Sequence, residues 1–227
     1  MLKRFGVENS GYRLVLASNS PRRKQLFALG DWKYRLLAVE VDESPTEGEA
    51  PAGYVSRLAE AKARAAASQA QPDEIVVAAD TTVVDGGMIL GKPVDAAHAV
   101  KMLQQLRGRD HQVYTGLSIL RAADGLLVQD FCVTKVSMRD YSDEEIAAYV
   151  DSGDPLDKAG AYAIQHRAFN PARPLYGCYA NVVGLPLCNL LRTLKRAGIQ
   201  TKEDIPRACQ AVLEYNCPVY EMILEWR

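Results

Sequence analysis

The residues with the clearest chemical potential are scattered along the chain. Ser18, Ser20, Pro21, Arg22 and Arg23 stand together in LASNSPRRKQL. Ser20 is a good helix N-cap and Pro21 suits the first helical position, so a strand ending at Ala17 should turn there into a helix. A helix start with two serine hydroxyls favours an anion. Arg22 and Arg23 oppose the dipole of that first turn, where helix stability alone would place acids. The combination points to an oxyanion site.

Asp80 ends the apolar run IVVAAD. A carboxylate at the end of a buried strand is costly unless it binds a metal or acts as a base; Thr81 and Thr82 also permit a simple turn cap. Val41-Asp42-Glu43 places further acids after a strand. If Glu43 and Asp80 converge, they form an oxygen site suited to Mg²⁺, which takes one or two carboxylates and completes its shell with phosphate oxygens. Lys62 lies on an alanine-rich helix and Lys92 at the end of a hairpin arm. In DKAGAYAIQ, Lys158 and Gln165 could read a base edge.

Two motifs fail on inspection. Gly86–Lys92, GGMILGK, has phosphate-loop spacing, but Pro93 stands where a metal-binding hydroxyl is needed and the segment reads as a hairpin. Ala79-Asp80-Thr81-Thr82 lacks both the glycine of an aspartic protease and the second aspartate of a dehalogenase-type phosphatase.

These residues need elements to hold them. Hydrophobic patterning and turn residues predict strands at 12–17, 34–41, 75–79, 112–120 and 126–138. A hairpin is expected around Asp85-Gly86-Gly87. Helices are expected at 22–29, 51–70 (Tyr54, Val55, Leu58 and Ala61 facing inward), 95–106, 143–150 and 185–197. Ser142 and Glu145 spell a capping box. Residues 151–157 read as a loop. Strands alternating with helices, but interrupted by hairpins, imply an α/β fold with a mixed sheet.

The 227 residues carry 27 Lys+Arg against 28 Asp+Glu, with 48% hydrophobic residues. That excludes disorder, and it excludes a chain that coats nucleic acid or anionic membrane through a basic excess. Positive charge for a polyanion must therefore be concentrated in a pocket. No run reaches the ~18 apolar residues of a membrane span, and the stretch around Lys3 and Arg4 has no signal-peptide core. Five cysteines without metal spacing read as reduced thiols of a cytoplasmic protein.

Taken together, LASNSPRRKQL, VDES, VVAADTTVVDGGMILGKP, LRGRDHQVYTG, DKAGAYAIQ and NVVGLPL resemble, in order and spacing, the Maf family of nucleoside triphosphate pyrophosphatases. The resemblance runs from about Leu14 to Ala197. It implies a Maf/ITPase-like fold, with a bent mixed sheet, flanking helices and two lobes around a deep cleft. It implies hydrolysis of a nucleoside triphosphate to monophosphate and pyrophosphate with Mg²⁺ or Mn²⁺, in a nucleotide-pool house-cleaning role, by a homodimer. By correspondence, Ser18, Arg22 and Arg23 form the phosphate-binding loop and Glu43 binds metal. Lys62 contacts the triphosphate, Asp80 is general base or metal ligand, and Lys92 and Gln165 complete the cleft.

The Ala-Asp-Thr core, Lys-Ala-Gly-Ala-Tyr and Ile-Gln resemble the dTTP/UTP subgroup, which also takes modified pyrimidines. The alternatives are another noncanonical triphosphate (ITP, XTP or 7-methyl-GTP) or a non-catalytic nucleotide-binding division inhibitor. Departures from the family pattern are Asp154 for a common Glu, His166 after Ile-Gln, and Pro171 and Pro174 in the next segment. The expected division is a Maf-like domain over 1–200 and a helical extension over 201–227, apolar enough at Val212, Leu213, Tyr215 and Ile223 to pack.

Overall fold

The apolar run that starts at Ile75 does not stop at Asp80. Thr81, Thr82, Val83 and Val84 are β-branched and extend it into a twelve-residue strand, so Asp80 sits in the middle of a strand rather than at its end. The computed structural model describes residues 12–199, 201 and 204–225. The N-terminal stretch read for a leader lies outside them.

The sheet has six strands: β1 (Arg13–Ala17), β2 (Tyr34–Leu36), β3 (Glu74–Asp85), β4 (Met88–Leu90), β5 (Asp110–Arg121) and β6 (Leu127–Ser137). Their order is β2-β1-β3-β5-β6, with β4 pairing the far end of β3. β1 runs parallel to β2 and β3. β4 and β5 run antiparallel to β3, and β6 antiparallel to β5. The sheet is therefore mixed. β6 is an edge strand, and helix side chains cover part of its backbone: Arg196 donates to the Gln129 carbonyl and Asn189 to that of Phe131.

The helices are α1 (Pro21–Phe27), α2 (Pro51–Ala67), α3 (Ala96–Leu106), α4 (Asp143–Asp151), α5 (Tyr179–Val183), α6 (Leu187–Arg196), α7 (Ile205–Leu213) and α8 (Tyr220–Glu225). α2 covers one face, setting Ala63 and Ala66 against Val15, Ala17, Val76 and Ala78. Two further cores use opposite ends of the long strands. One joins Val77, Ala79, Leu117 and Ile119 to α1, α5 and α6. The other joins Val83, Val113 and Val136 to α3 and α4. Two lobes thus share β3, β5 and β6, and residues 80–82 lie at their junction.

Several expected boundaries move. The strand expected over 34–41 ends at Leu36, because its partner β1 ends at Ala17 and offers little more backbone to pair. α2 stops at Ala67, and Ser68–Ala70 unwind in turns. Ala59 and Lys62, rather than Ala61, complete its buried face. The helix expected over 185–197 spans 187–196, and a short helix precedes it, ended by Gly184 at φ 120°. The loop expected over 151–157 closes as a 3₁₀ turn, Asp154–Asp157. The capping box at Ser142 and Glu145 is present. Within the expected extension, α7 docks on the body with Ile205 fully buried, and the Tyr215 hydroxyl holds the backbone of Leu175 and Gly177.

Glu74 ties the sheet's start together. Only 3% exposed, it accepts both prongs of Arg35 at 2.7 and 2.8 Å and the Gln71 amide at 2.8 Å. The hydrogen bonds from Arg35 lead in holding its carboxyl at about 2, against an ordinary 4.5. A depressed carboxylate stabilises fully above its unfolded pKa, and the gain disappears as pH falls toward 2. Glu74→Gln should cost about 1–2 kcal/mol at neutral pH, given that Arg35 is partly solvated. It should also flatten the fall of Tm between pH 5 and 2, read by calorimetry.

Candidate active site

β1 delivers Ser18 to the mouth of the junction. The Ser18 hydroxyl accepts the Ser20 amide at 3.2 Å, and Ser20 caps α1 by accepting the Arg23 amide at 3.4 Å. α1 has only seven residues, so the charge offered to an anion comes mainly from its arginines. Arg23 spends two donors on scaffold: Nε on the Gly184 carbonyl at 2.8 Å and Nη2 on Thr81 Oγ1 at 2.9 Å. That fixes its guanidinium against β3 and α5. Burial draws its pKa down, against the pull of Asp80, and a guanidinium stays charged regardless. Arg22 points to the opposite lobe and meets Asp157 at 3.3 Å.

At the centre, Lys62 of α2 stands between two carboxylates. Its Nζ lies 2.6 Å from Glu43 Oε1 and 2.5 Å from Asp80 Oδ1. Asp80 and Lys62 are almost wholly buried, while Glu43 is half-exposed. Burial pushes the Glu43 carboxyl up, but Lys62's hydrogen bond and charge, with Lys92 and Arg23 behind them, outweigh it and hold the group below its ordinary range. Lys92 approaches Glu43 Oε2 at 3.8 Å. Tyr54 donates to the Glu43 carbonyl at 2.8 Å and anchors that loop. Its own pKa rises to about 12, first from burial and then from the charges of Asp80 and Glu43.

Ser18, Arg22, Arg23, Glu43, Lys62, Asp80, Lys92 and Gln165 all line one cleft of about 670 Å³, well within the range of small-molecule sites. Gln165 is exposed on its wall, with no hydrogen bond among the described residues. Asp157 and Lys158 also line the wall. The sequence suggests Lys158 as a base reader and gives Asp157 no role. The signal was their adjacency in DKAGAY, beside Gly160, whose left-handed backbone (φ 68°) lies under Val83. His166 is absent from the cleft lining: its ring packs on Tyr149 at 4.7 Å and its Nδ1 accepts the Phe169 amide. That departure from the family pattern therefore serves the loop.

A family model described as Maf-like protein matches residues 13–197. The chain belongs to the Maf family. Among curated relatives, a dTTP/UTP pyrophosphatase of Geobacter sulfurreducens is 49% identical over 187 residues, covering 82% of this chain and 97% of that protein. One from Hahella chejuensis is 45% identical over 194 residues, covering 85% and 96%. Among solved structures, the Staphylococcus aureus Ham1 protein overlaps 56% of this chain and 72% of its own, with TM-score 0.40 and 18% identity.

The donor set fits a hard divalent cation. Glu43 and Asp80 supply two carboxylates converging on one point, now held by an ammonium, and Asp80 Oδ2 has no hydrogen bond among the described residues. Among the described residues, no group of three or more His, Cys, Asp or Glu gathers there to complete a cage. Two carboxylates plus phosphate oxygens and water match how Mg²⁺ is usually held; thiolate- or imidazole-based sites do not.

Proposed function

We propose that this Maf-family chain hydrolyses nucleoside triphosphates to the monophosphate and pyrophosphate, with dTTP, UTP and modified pyrimidine nucleotides as preferred substrates, and that it cleans the nucleotide pool. The observation that carries the reading is the Glu43–Lys62–Asp80 bridge at the floor of a cleft that also holds Arg22, Arg23 and Lys92. Attack on a phosphorus needs a positioned water and cations for the charge on the leaving group.

In this assignment Asp80 orients the attacking water and accepts its proton. Lys62 holds Asp80 Oδ1 in place at 2.5 Å and shares the phosphate charge. Ser18, Arg22, Arg23 and Lys92 bind the triphosphate, and Gln165 pairs with the base edge. Glu43 and Asp80 would hold Mg²⁺ or Mn²⁺, which supplies charge neutralisation across the phosphates. Arg22, Arg23, Lys62 and Lys92, gathered in one cleft, reconcile a near-neutral chain with a tetra-anionic substrate. A homodimer acting in the cytoplasm completes the proposal. All five cysteines are free thiols, and among the described residues no helix is long and apolar enough to cross a membrane.

A panel of triphosphates with pyrophosphate detection, run with Mg²⁺ and Mn²⁺, tests this reading. UTP and dTTP should show the highest kcat/KM. Preference for ITP or XTP would overturn the base assignment. Absence of metal-dependent turnover on every triphosphate would overturn the enzyme reading in favour of a binding protein.

A further inference from the structure

Asp157 is a carboxylate on the wall of a cleft built to receive an anion, where it opposes the ligand. It belongs to the 3₁₀ turn after α4, in the lobe opposite α1, and it reaches across to Arg22 with a single contact at 3.3 Å. Its other oxygen holds Lys158 Nζ more closely, at 2.6 Å. Lys158 is nearly buried and also contacts the carbonyl and carboxylate of Asp154. Asp154 Oδ2 in turn accepts the Tyr149 hydroxyl at 2.7 Å, and that hydroxyl accepts the Ala163 amide at 2.9 Å. The Asp157–Lys158 half of the contact is thus tied into α4 and the segment leading to Gln165, whereas the Asp157–Arg22 half is one long, solvent-facing contact.

The two halves differ in what it takes to break them. If Arg22 leaves, Asp157 keeps its contact with Lys158, which it shares with Asp154, and its exposed side chain takes up water, so the exchange buries no unpaired charge. An exposed single-contact ion pair is weak, while a guanidinium with a phosphate gains two parallel charge-assisted hydrogen bonds.

We propose that Asp157 is a displaceable counter-ion of Arg22 and so a specificity-determining residue: an anion enters the Arg22 subsite only if it binds the guanidinium better than a carboxylate does. Polyphosphates meet that condition more readily than singly charged anions. The contact spans the two lobes, so the ligand's arrival also releases one of the ties across the cleft. This inference rests on the triphosphate reading of the cleft.

The test is Asp157→Asn in the full chain, with UTP and pyrophosphate as probes. Binding is read by calorimetry in EDTA, and KM and pyrophosphate inhibition are read in Mg²⁺. Removing the competitor should tighten UTP and pyrophosphate binding about two- to fivefold, the range an exposed pair supports, and lower KM by a similar factor. The effect should vanish in an Arg22→Gln background. Unchanged or weaker binding in Asp157→Asn overturns the proposal. So does equal tightening in the Arg22→Gln background, which would mean only a general change of field. Binding in EDTA does not need turnover. If wild type hydrolyses no triphosphate, the functional reading fails while the binding arms still decide the role of Asp157.

Discussion

Asp80→Asn should lower pyrophosphate release from UTP by about 10²- to 10⁴-fold, the usual contribution of a positioned general base. The reasoning begins with the pair it breaks. Asn keeps the shape of Asp, and its Oδ1 still accepts from Lys62, so no donor at the floor of the cleft is orphaned. Lys62 also keeps Glu43 at 2.6 Å. The loss of one charge from a buried pair therefore costs less than the ~3–5 kcal/mol expected when a buried ion loses its only partner. The fold should persist, with a lowered Tm. What disappears is the proton acceptor and one of two carboxylates for the divalent ion. Steady-state kinetics with a thermal melt on the same sample separate the two effects. Wild-type-like turnover in a folded Asp80→Asn variant would remove Asp80 from the chemistry. Loss of turnover with loss of fold would assign it to structure, and Glu43→Gln, at a half-exposed position, then tests the same site without the folding burden.

How much of this was legible in the sequence depended on the range of the interaction that decides each feature. Local rules located the start of α1 through Ser20 and Pro21, the β3–β4 turn at Gly86-Gly87 and the start of α4 at Ser142, because caps and turns are fixed by residues within one turn of chain. The placement of Asp80 was not local. The run IVVAAD looked terminated by its own charge, yet β3 continues because Thr82 and Val83 pair with Tyr114 and Val113 of β5, thirty or more residues away. Nor could spacing reveal that Lys62 faces inward. On α2 it occupies the buried stripe of Leu58, Ala59 and Ala63, where patterning expects an apolar residue, and only Glu43 and Asp80 make that position tolerable. Asp157 was invisible for a related reason: its significance lies in facing Arg22 from the other lobe. The eight candidate residues came from motifs. Their convergence on one cleft came from the way three long strands serve two cores.

The distance between α2 and β3 is set by Gly116, and Gly116→Ala should be the most destabilising small substitution near the site. Gly116 pairs directly with Asp80 across β3 and β5, and α2 crosses above it. A methyl group there would lie 2.4 Å from the Val55 carbonyl oxygen, 2.5 Å from its carbon and 2.8 Å from the Ser56 nitrogen. Those are backbone atoms of a helix interior and cannot rotate away as a side chain can. Relief requires lifting α2 from the sheet, so the cost should reach the upper part of the ~1–3 kcal/mol typical of overpacking, or exceed it. The displacement should also reach the chemistry, since α2 carries Lys62 and the 2.5 Å contact to Asp80 depends on close approach. Gly116→Ala should therefore lower Tm and kcat together. Gly53, two residues upstream of Val55 on the same helix, supplies the control. Its added methyl meets nothing within 4 Å, and alanine is the better helix former by up to about 1 kcal/mol, so Gly53→Ala should hold or raise Tm and leave kcat unchanged. Equal responses from the two variants would show that α2 can ride on the sheet, and that the closeness of Lys62 to Asp80 is set somewhere other than Gly116.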